Sequence, residues 1–423
     1  MKQLSKRGAT SLAAGGLASA MIFVVPSTMA LAAPAPAPAT NASCPSTPGV
    51  TPTTVNLAMI FPVTGASSAS FLGLSEGAKL RVAQENAKGG VNRRKIVVTV
   101  YDDKAEGATQ STQVNKALQQ DNQFGFIHGS TTDASLALMR AVNAPVIVAG
   151  STPLSATDRN VFGFNGPATS AFSASYAPKR LKLAGATNVG ELNHNSPGAN
   201  LAGGGFVATV PLEGLSLGLR VQDLPIGAYD ATSTALRIRQ SGINGVYLVL
   251  TPDGGTSVGA AMKQQGVRIP TLLPGLTDPA VVAKAGSSLE GFISQTYGNV
   301  PLTVPGIPAI RTYVNGMRAA GVNPYLNNGP VGYITADEFI TGLKKAGKCP
   351  TRDSFVNALR ANTHVTGAGL LPVPISFAPG LTPNGDPNPC SWYQTVKNGT
   401  LVPDAKATCG ATVENATGKV VKN

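Results

Sequence analysis

The sequence has 423 residues and a formal net charge of +12, with 13% charged and 5% aromatic residues. A single hydrophobic core stops growing near ~250–300 residues, so this length predicts at least two lobes. The basic residues are scattered and are not interleaved with aromatic residues, which argues against nucleic-acid binding and favours solvated surface charge.

Residues 1–33 have the order of a secretory signal peptide. A basic start precedes an uncharged run of small and apolar residues over 11–25, and Ala30-Leu31-Ala32 supplies an A-x-A cleavage site. The run contains glycines and is short for a membrane-spanning helix, which needs ~20 apolar residues. We therefore expect cleavage after Ala32 or Ala33 and an exported protein. Alternating Pro and Ala then favour an extended polyproline II linker over 34–50.

Short β-branched runs alternate with helical stretches from Val55 onward. Such alternation is typical of a parallel sheet covered on both faces by helices. Strands are predicted at 55–61, 96–101, 124–128 and 145–149, and helices at 72–87, 108–120 and 135–142.

The alternation restarts after Gly166 and predicts a second α/β unit. Its strands are predicted at 188–192, 217–224, 246–250 and 291–297, with helices at 170–183, after Gly198, and at 232–240 and 257–265. Helices then return at 307–319, 332–346 and 352–361. Asn398-Gly399 between two strand-like runs predicts a C-terminal hairpin.

The fold class predicted by this order is α/β, with two Rossmann-like lobes whose parallel sheets are joined by a multi-strand hinge. Residues 51–165 and 299–371 are assigned to the first lobe. Residues 166–298 and 372–423 are assigned to the second lobe.

Four cysteines, Cys44, Cys349, Cys390 and Cys409, lie beyond the predicted signal peptide, in a compartment that permits disulfides. No C-x-x-C pair is present and the three histidines are far apart in sequence, so no metal site is expected. The hairpin brings Cys390 towards Cys409, which leaves Cys44–Cys349 as the second bond. The competing pairing, Cys349–Cys390 with Cys44–Cys409, stays open because sequence does not fix connectivity.

Small hydroxyl residues follow three predicted strands of the first lobe, around Ser70, at Ser130-Thr131-Thr132 and at Ser151-Thr152. Ligands of open parallel sheets bind beyond the carboxyl ends of the strands. Any one of these loops is explained as a helix cap, but three at successive strand ends favour a cradle for a carboxylate or another polar group. His128 either bonds the local backbone or adds a ligand contact.

The segments VNLAMIFPVTG, EGAKLRVAQENAKGGV and RKIVVTVYDDKA, together with the loop Ser130–Thr132, resemble the branched-chain amino-acid (Leu/Ile/Val) binding proteins. These are type I periplasmic binding proteins of ABC transporters. The resemblance covers nearly all of residues 50–405. It implies a monomeric, non-enzymatic receptor without cofactors, whose partners are a small-molecule ligand and a membrane permease.

The resemblance also implies site residues. Thr132 occupies the head-group hydroxyl position, and the loop at Gly150 supplies further bonds. The second lobe differs from the family, because the loop after its first strand has no Tyr and Asp278 is the only acidic candidate for an amino group; Asp278 equally suits a helix cap. The full candidate ligand site is Ser70, Phe71, Ser130, Thr131, Thr132, Gly150, Ser151, Thr152, Asn195, Thr251, Asp278 and Tyr297.

The predicted function is the capture of a small polar or carboxylate-bearing solute, either an amino acid or a related amide or organic acid, and its delivery to an ABC transporter. Closure of the two lobes over the ligand would follow from tighter binding to the closed form. The alternative is a ligand-sensing or surface protein that uses the same fold without transport.

Overall fold

A computed structural model describes residues 44–65, 67–226 and 230–423. The predicted signal peptide (1–33) and most of the predicted linker (34–50) lie outside these ranges. Among the described residues, no helix has both the length and the apolarity needed to cross a membrane.

The first lobe is built on a five-stranded sheet in the order β2-β1-β3-β4-β5. Neighbouring strands are all parallel. The central strand β1 is an almost continuous apolar run, as expected for a strand buried on both faces. The strands are β1 (Thr54–Phe61), β2 (Lys95–Asp102), β3 (Gly125–His128), β4 (Val146–Val148) and β5 (Val161–Gly163).

Helices cover both faces of this sheet, and three of them come from far along the chain. The helices of this lobe are α1 (Leu74–Ala87), α2 (Gly107–Gln119), α3 (Leu136–Ala141), α4 (Leu154–Thr157), α10 (Pro308–Ala319), α11 (Gly329–Ala346) and α12 (Arg352–Arg360). Helix α11 lies directly on α1. The backbones approach so closely that a Cβ at Gly77 or Gly332 would overlap the facing helix, so both positions require glycine.

The second lobe has a seven-stranded sheet in the order β14-β13-β11-β10-β9-β7-β8. Strands β7 to β11 run parallel, and the C-terminal hairpin adds two antiparallel strands at one edge. The strands are β7 (Asn188–His194), β8 (Ser216–Leu224), β9 (Gly245–Val249), β10 (Thr271–Pro274), β11 (Phe292–Gln295), β13 (Tyr393–Lys397) and β14 (Thr400–Pro403). The helices are α5 (Tyr176–Leu183), α6 (Pro197–Thr209), α7 (Ala231–Gln240), α8 (Pro252–Gln264) and α9 (Pro279–Ala285).

The chain passes between the lobes at three places, near Asn165, Gly298 and Asn388. The side-chain amide of Asn388 donates to Asn165 Oδ1. A Cβ at Gly298 would overlap the Asn165 side chain. The three crossing segments therefore contact one another and form the hinge.

Residues 404–423, here called the C-terminal strap, fold back over the second lobe. Strand β15 (Thr408–Cys409) pairs with β12 (Cys390–Ser391), and β16 (Thr412–Glu414) pairs with β6 (Phe172–Ala174) and with β17 (Lys419–Lys422).

The disulfides are Cys44–Cys349 and Cys390–Cys409, which is the pairing that the sequence favoured. In the antiparallel ladder of β12 and β15, Cys390 lies directly opposite Cys409. The hairpin alone had placed Cys390 opposite Lys406.

The predicted elements are largely present, and the differences have local causes. The predicted helix 170–183 begins only at Tyr176, because residues Phe172–Ala174 pair with the strap instead. Strands β5 and β10 were not predicted; both are three or four residues long, too short for a clear periodic signal.

Candidate functional site

A cleft of about 440 Å³ lies at the carboxyl ends of the first-lobe strands and is lined by both lobes and by the hinge. Its volume lies within the ~300–1,000 Å³ of small-molecule sites in proteins. Seven of the predicted site residues line it: Ser70, Phe71, Thr131, Gly150, Ser151, Thr251 and Tyr297. The other five do not.

The first-lobe side of the cleft presents free hydrogen-bonding groups. Within the part of the chain that the structure describes, the hydroxyls of Ser70, Thr131 and Ser151 have no protein partner, and the backbone N–H groups of Thr131 and Ser151 have no acceptor. Phe71 adds an apolar surface beside them. A ligand can therefore receive up to five hydrogen bonds from this side.

The neighbouring predicted residues brace the loops instead of facing the cleft. Ser130 Oγ accepts from the backbone N–H of Thr132 at 3.3 Å, and Thr132 Oγ1 accepts from that of Ala134 at 3.3 Å. Thr152 is buried, and its hydroxyl donates to Asp133 Oδ2 at 2.7 Å. Thr132, predicted to occupy the head-group position, thus does not line the cleft, whereas its neighbour Thr131 does.

A buried glutamine fixes the base of the same loop. Gln110 Nε2 donates to Asp103 Oδ2 at 2.9 Å and to the carbonyl of Thr132 at 2.9 Å, and Gln110 Oε1 accepts from the hydroxyl of Ser135 at 2.9 Å. His128 lies 3.1 Å from Gln110 Nε2 through its own Nε2. Burial lowers the pKa of His128, so this histidine is a neutral part of the loop support and does not line the cleft.

The second-lobe wall is mainly apolar and was missed by the sequence analysis. Tyr176, Phe206, Tyr247 and Val249 line the cleft between helices α5 and α6 and the sheet. Alternation along β9 does not reveal which face of the strand meets a ligand, because both faces are buried. Only the packing of α6 distinguishes them.

His194 lines the cleft, whereas the predicted Asn195 does not. His194 Nε2 accepts from the backbone N–H of Thr251 at 3.0 Å, and its Nδ1 lies 3.4 Å from the carbonyl of Leu224. Burial lowers its pKa, and these bonds match a neutral ring that carries its proton on Nδ1. Asn195 is exposed, and its backbone continues the contact with Leu224.

Asp278 caps helix α9 and does not line the cleft. Its Oδ1 accepts from the backbone N–H of Ala280 at 2.8 Å, and its Oδ2 accepts from the side-chain amide of Asn323 at 2.8 Å. The expectation that Asp278 could hold an amino group is therefore not supported by its position.

None of the described residues that line the cleft is Asp, Glu, Lys or Arg. The acidic residue Glu191 on β7 does not line the cleft. It packs against α6, where a Cβ at Gly203 would overlap its Oε1. Burial raises the pKa of Glu191 to about 7. Arg220 acts in the opposite direction and lowers this pKa; its Nε lies 3.5 Å from Glu191 Oε2.

Among the described residues, no group of three or more His, Cys, Asp or Glu side chains is placed to hold a metal ion. Three segments match the serine-hydrolase pattern G-x-S-x-G, around Ser75, Ser216 and Ser257. Ser75 and Ser257 lie within α1 and α8, and Ser216 begins β8, so none sits on the strand-to-helix turn that such a nucleophile requires.

The chain is similar to known transport proteins. A model of the periplasmic binding protein family matches residues 54–400. Over 335 residues the chain is 23% identical to the "Leucine-, isoleucine-, valine-, threonine-, and alanine-binding protein" of Pseudomonas aeruginosa, covering 75% of this chain and 85% of that protein.

Solved structures share the fold. A fatty acid ABC transporter substrate-binding protein from Thermomonospora curvata superposes with a TM-score of 0.72 at 17% identity, covering 89% of this chain and 97% of that one. A branched-chain amino acid ABC transporter from Thermus thermophilus with bound valine gives a TM-score of 0.71 at 19% identity, covering 85% and 97%.

Proposed function

The chain belongs to the periplasmic binding protein family, and we propose that it captures its solute in the cleft between the two lobes. The observation that carries this proposal is the joint lining of the cleft by both lobes and by the hinge segments near Asn165 and Asn388. A solute there contacts Ser70 and Thr131 from one lobe and Tyr247 from the other. Binding that bridges two lobes favours the closed arrangement.

The mechanism is hinged closure. Polar groups of the solute bond first to the free hydroxyls of the first lobe, and rotation about the three crossing segments then brings the apolar wall of the second lobe over the rest. The population shifts only as far as the solute's extra affinity for the closed form allows. The permease of an ABC transporter then recognises the closed protein and receives the solute.

The remaining features follow from the same role. Residues 1–33 act as the export signal, and the mature protein works as a monomer outside the cytoplasmic membrane. The tether predicted over 34–50 is restricted to residues before Cys44, because Cys44–Cys349 and the bond from Asn56 N–H to the carbonyl of Gly49 hold residues 44–50 on the first lobe. The lobe boundaries predicted from the sequence, 51–165 with 299–371 and 166–298 with 372–423, stay part of this proposal with one change. Ile375 and Phe377 pack in the core of the first lobe, so the last boundary moves to the crossing near Asn388.

The proposal is tested by measuring ligand binding and the accompanying change in the radius of gyration of the protein. The mature protein is screened by thermal shift against amino acids, amides, and aliphatic and aromatic acids, because a bound ligand raises the unfolding midpoint by mass action. Small-angle scattering with and without the stabilising solute should show a smaller radius of gyration. Absence of any stabilising solute would contradict the proposal.

Transport is tested in the native host by uptake of the labelled solute before and after deletion of the gene. Unchanged uptake together with a lost transcriptional response to the solute would favour the sensing alternative.

A further inference from the structure

The cleft has two chemically different ends. The first-lobe end offers donors: three free hydroxyls, on Ser70, Thr131 and Ser151, and two free backbone N–H groups. The second-lobe end offers aromatic and aliphatic surface from Phe206 and Tyr247. A ligand that satisfies both ends has a polar head and an apolar body.

Small residues on α6 make room for that body. Gly198 and Ala202 are four residues apart, so they lie on one face of the helix, and both line the cleft. The cleft at this place extends to Ala177 on α5 and to Tyr247 on the sheet, both of which belong to the buried core of the second lobe. The space is thus a chamber inside the lobe as well as a groove at its surface.

The polar head of the ligand must accept hydrogen bonds from the first-lobe donors, and it must fit a cleft whose described lining residues carry no charged side chain. A carboxylate accepts several hydrogen bonds, and bonds from N–H and O–H groups to an ionised acceptor are the strong ones. An ammonium group needs acceptors and a negative counter-charge when it is buried. None of the described lining residues is acidic, Asp278 is engaged with Asn323, and Glu191 lies beneath α6.

His194, which also lines the cleft, does not alter the preference for a carboxylate over an ammonium group. His194 accepts from the N–H of Thr251 and lies beside the carbonyl of Leu224, so the ring is held by its surroundings on both nitrogens. It is not placed as a counter-ion for either end of a zwitterion.

We propose, on the basis of the solute-binding role above, that the ligand is an apolar monocarboxylate without an ammonium group, with its carboxylate at Thr131 and Ser151 and its hydrocarbon part in the chamber beside α6. This class includes branched or straight alkanoates and aryl carboxylates. Amino acids of the same carbon skeleton bind more weakly in this proposal, because none of the described lining residues supplies a negative counter-charge for the ammonium group.

Matched ligand pairs test the class by isothermal titration calorimetry. 4-Methylpentanoate differs from leucine only by the α-ammonium group, and hexanoate differs from norleucine in the same way. We expect each carboxylate to bind at least about tenfold more tightly than its amino acid, a difference of ~1.4 kcal/mol. Equal or tighter binding of the amino acids overturns the proposal.

A neutral control ligand separates the contribution of the carboxylate to the affinity from that of the hydrocarbon part. 4-Methylpentanamide keeps the skeleton and removes the negative charge, and we expect it to bind more weakly than 4-methylpentanoate. Binding of the amide as tight as that of the acid overturns the carboxylate assignment.

Substitutions at the two ends of the cleft test where the carboxylate and the hydrocarbon part of the ligand bind. Thr131→Val together with Ser151→Ala should reduce the affinity for 4-methylpentanoate and for octanoate by similar factors, because both share the head. Ala202→Phe fills the chamber and should weaken octanoate at least about tenfold more than acetate. Ala208→Phe, on α6 but outside the cleft lining, is the matched control and should leave both affinities unchanged.

Failure of this proposal is distinguishable from failure of the solute-binding role. Tight binding of another solute class, lost in Ala202→Phe, would refute the monocarboxylate class and retain the cleft as the binding site. If octanoate binds and Ala202→Phe has no selective effect, the chamber is refuted.

Discussion

The hydroxyl of Thr152 donates a hydrogen bond of 2.7 Å to Oδ2 of Asp133 and thereby joins the loops that follow β3 and β4. These loops carry Thr131 and Ser151, which face the cleft. One buried threonine thus links the two loops that carry Thr131 and Ser151, which line the cleft and are twenty positions apart in sequence. Removal of this hydroxyl should lower the stability of the protein.

Thr152→Val should destabilise the protein by about 1–2 kcal/mol, because the valine removes the donor and leaves Asp133 without this partner. Urea denaturation monitored by circular dichroism measures the change. Thr53→Val, at an exposed site, is the control and should stay within about 0.5 kcal/mol of the wild type. Equal stability of Thr152→Val and the wild type would show that the bond does not brace the loops.

Thr131→Val should weaken binding of the solute by about 1–2 kcal/mol, because one free hydroxyl in the cleft is lost at nearly constant volume. Thr132→Val is the matched neighbour, whose hydroxyl serves only the local turn. Calorimetry of both variants decides between the assignment from the structure and that from the sequence. A larger loss in Thr132→Val would return the head-group role to Thr132.

Glu191→Gln should change the pH dependence of stability. The pKa of Glu191 is raised from an ordinary 4.5 to about 7 by burial, so the folded state holds the proton more tightly than the unfolded state. Its stabilising effect is complete below about pH 4.5 and is lost as the pH rises through about 7. The variant should therefore gain roughly 2–3 kcal/mol relative to the wild type between about pH 5 and pH 8.

Thermal denaturation at several pH values measures this difference. Glu338 is also buried with its pKa raised, so its contribution has the same sign and remains in the variant. The opposite trend, a variant that loses stability as the pH rises, would show that Glu191 is ionised in the fold and paired with Arg220.

Removal of Cys390–Cys409 by double substitution with Ser should affect both stability and binding. Cys390 lines the cleft, and the bond attaches the strap to that wall. We expect a loss of about 2–4 kcal/mol in the free energy of unfolding and a weaker affinity for the solute.

The matched control removes Cys44–Cys349, neither of which lines the cleft. It should lower stability without changing affinity. Equal effects of the two double variants on binding would show that the strap does not support the cleft wall.

Much of the fold could be predicted from local patterns. The apolar run of β1, the helix that ends at Gly89-Gly90 and the Asn398-Gly399 turn each have a strong local signal, and together with the family resemblance they gave two α/β lobes. The favoured cysteine pairing rested on the hairpin bringing Cys390 towards Cys409, but only the separate ladder of β12 and β15 places the two residues directly opposite each other.

The sequence by itself determined the strand-end loops and therefore the first-lobe end of the site, because parallel strands bring their carboxyl ends to one edge. Only the tertiary structure decided which hydroxyl in each loop is free: Thr131 and Thr132 are equivalent in type, and the difference lies in whether a backbone N–H reaches the oxygen. The apolar wall at Phe206 and Tyr247 likewise depends on the packing of α6 across a sheet buried on both faces. Burial on both faces removes the alternation that would have revealed it.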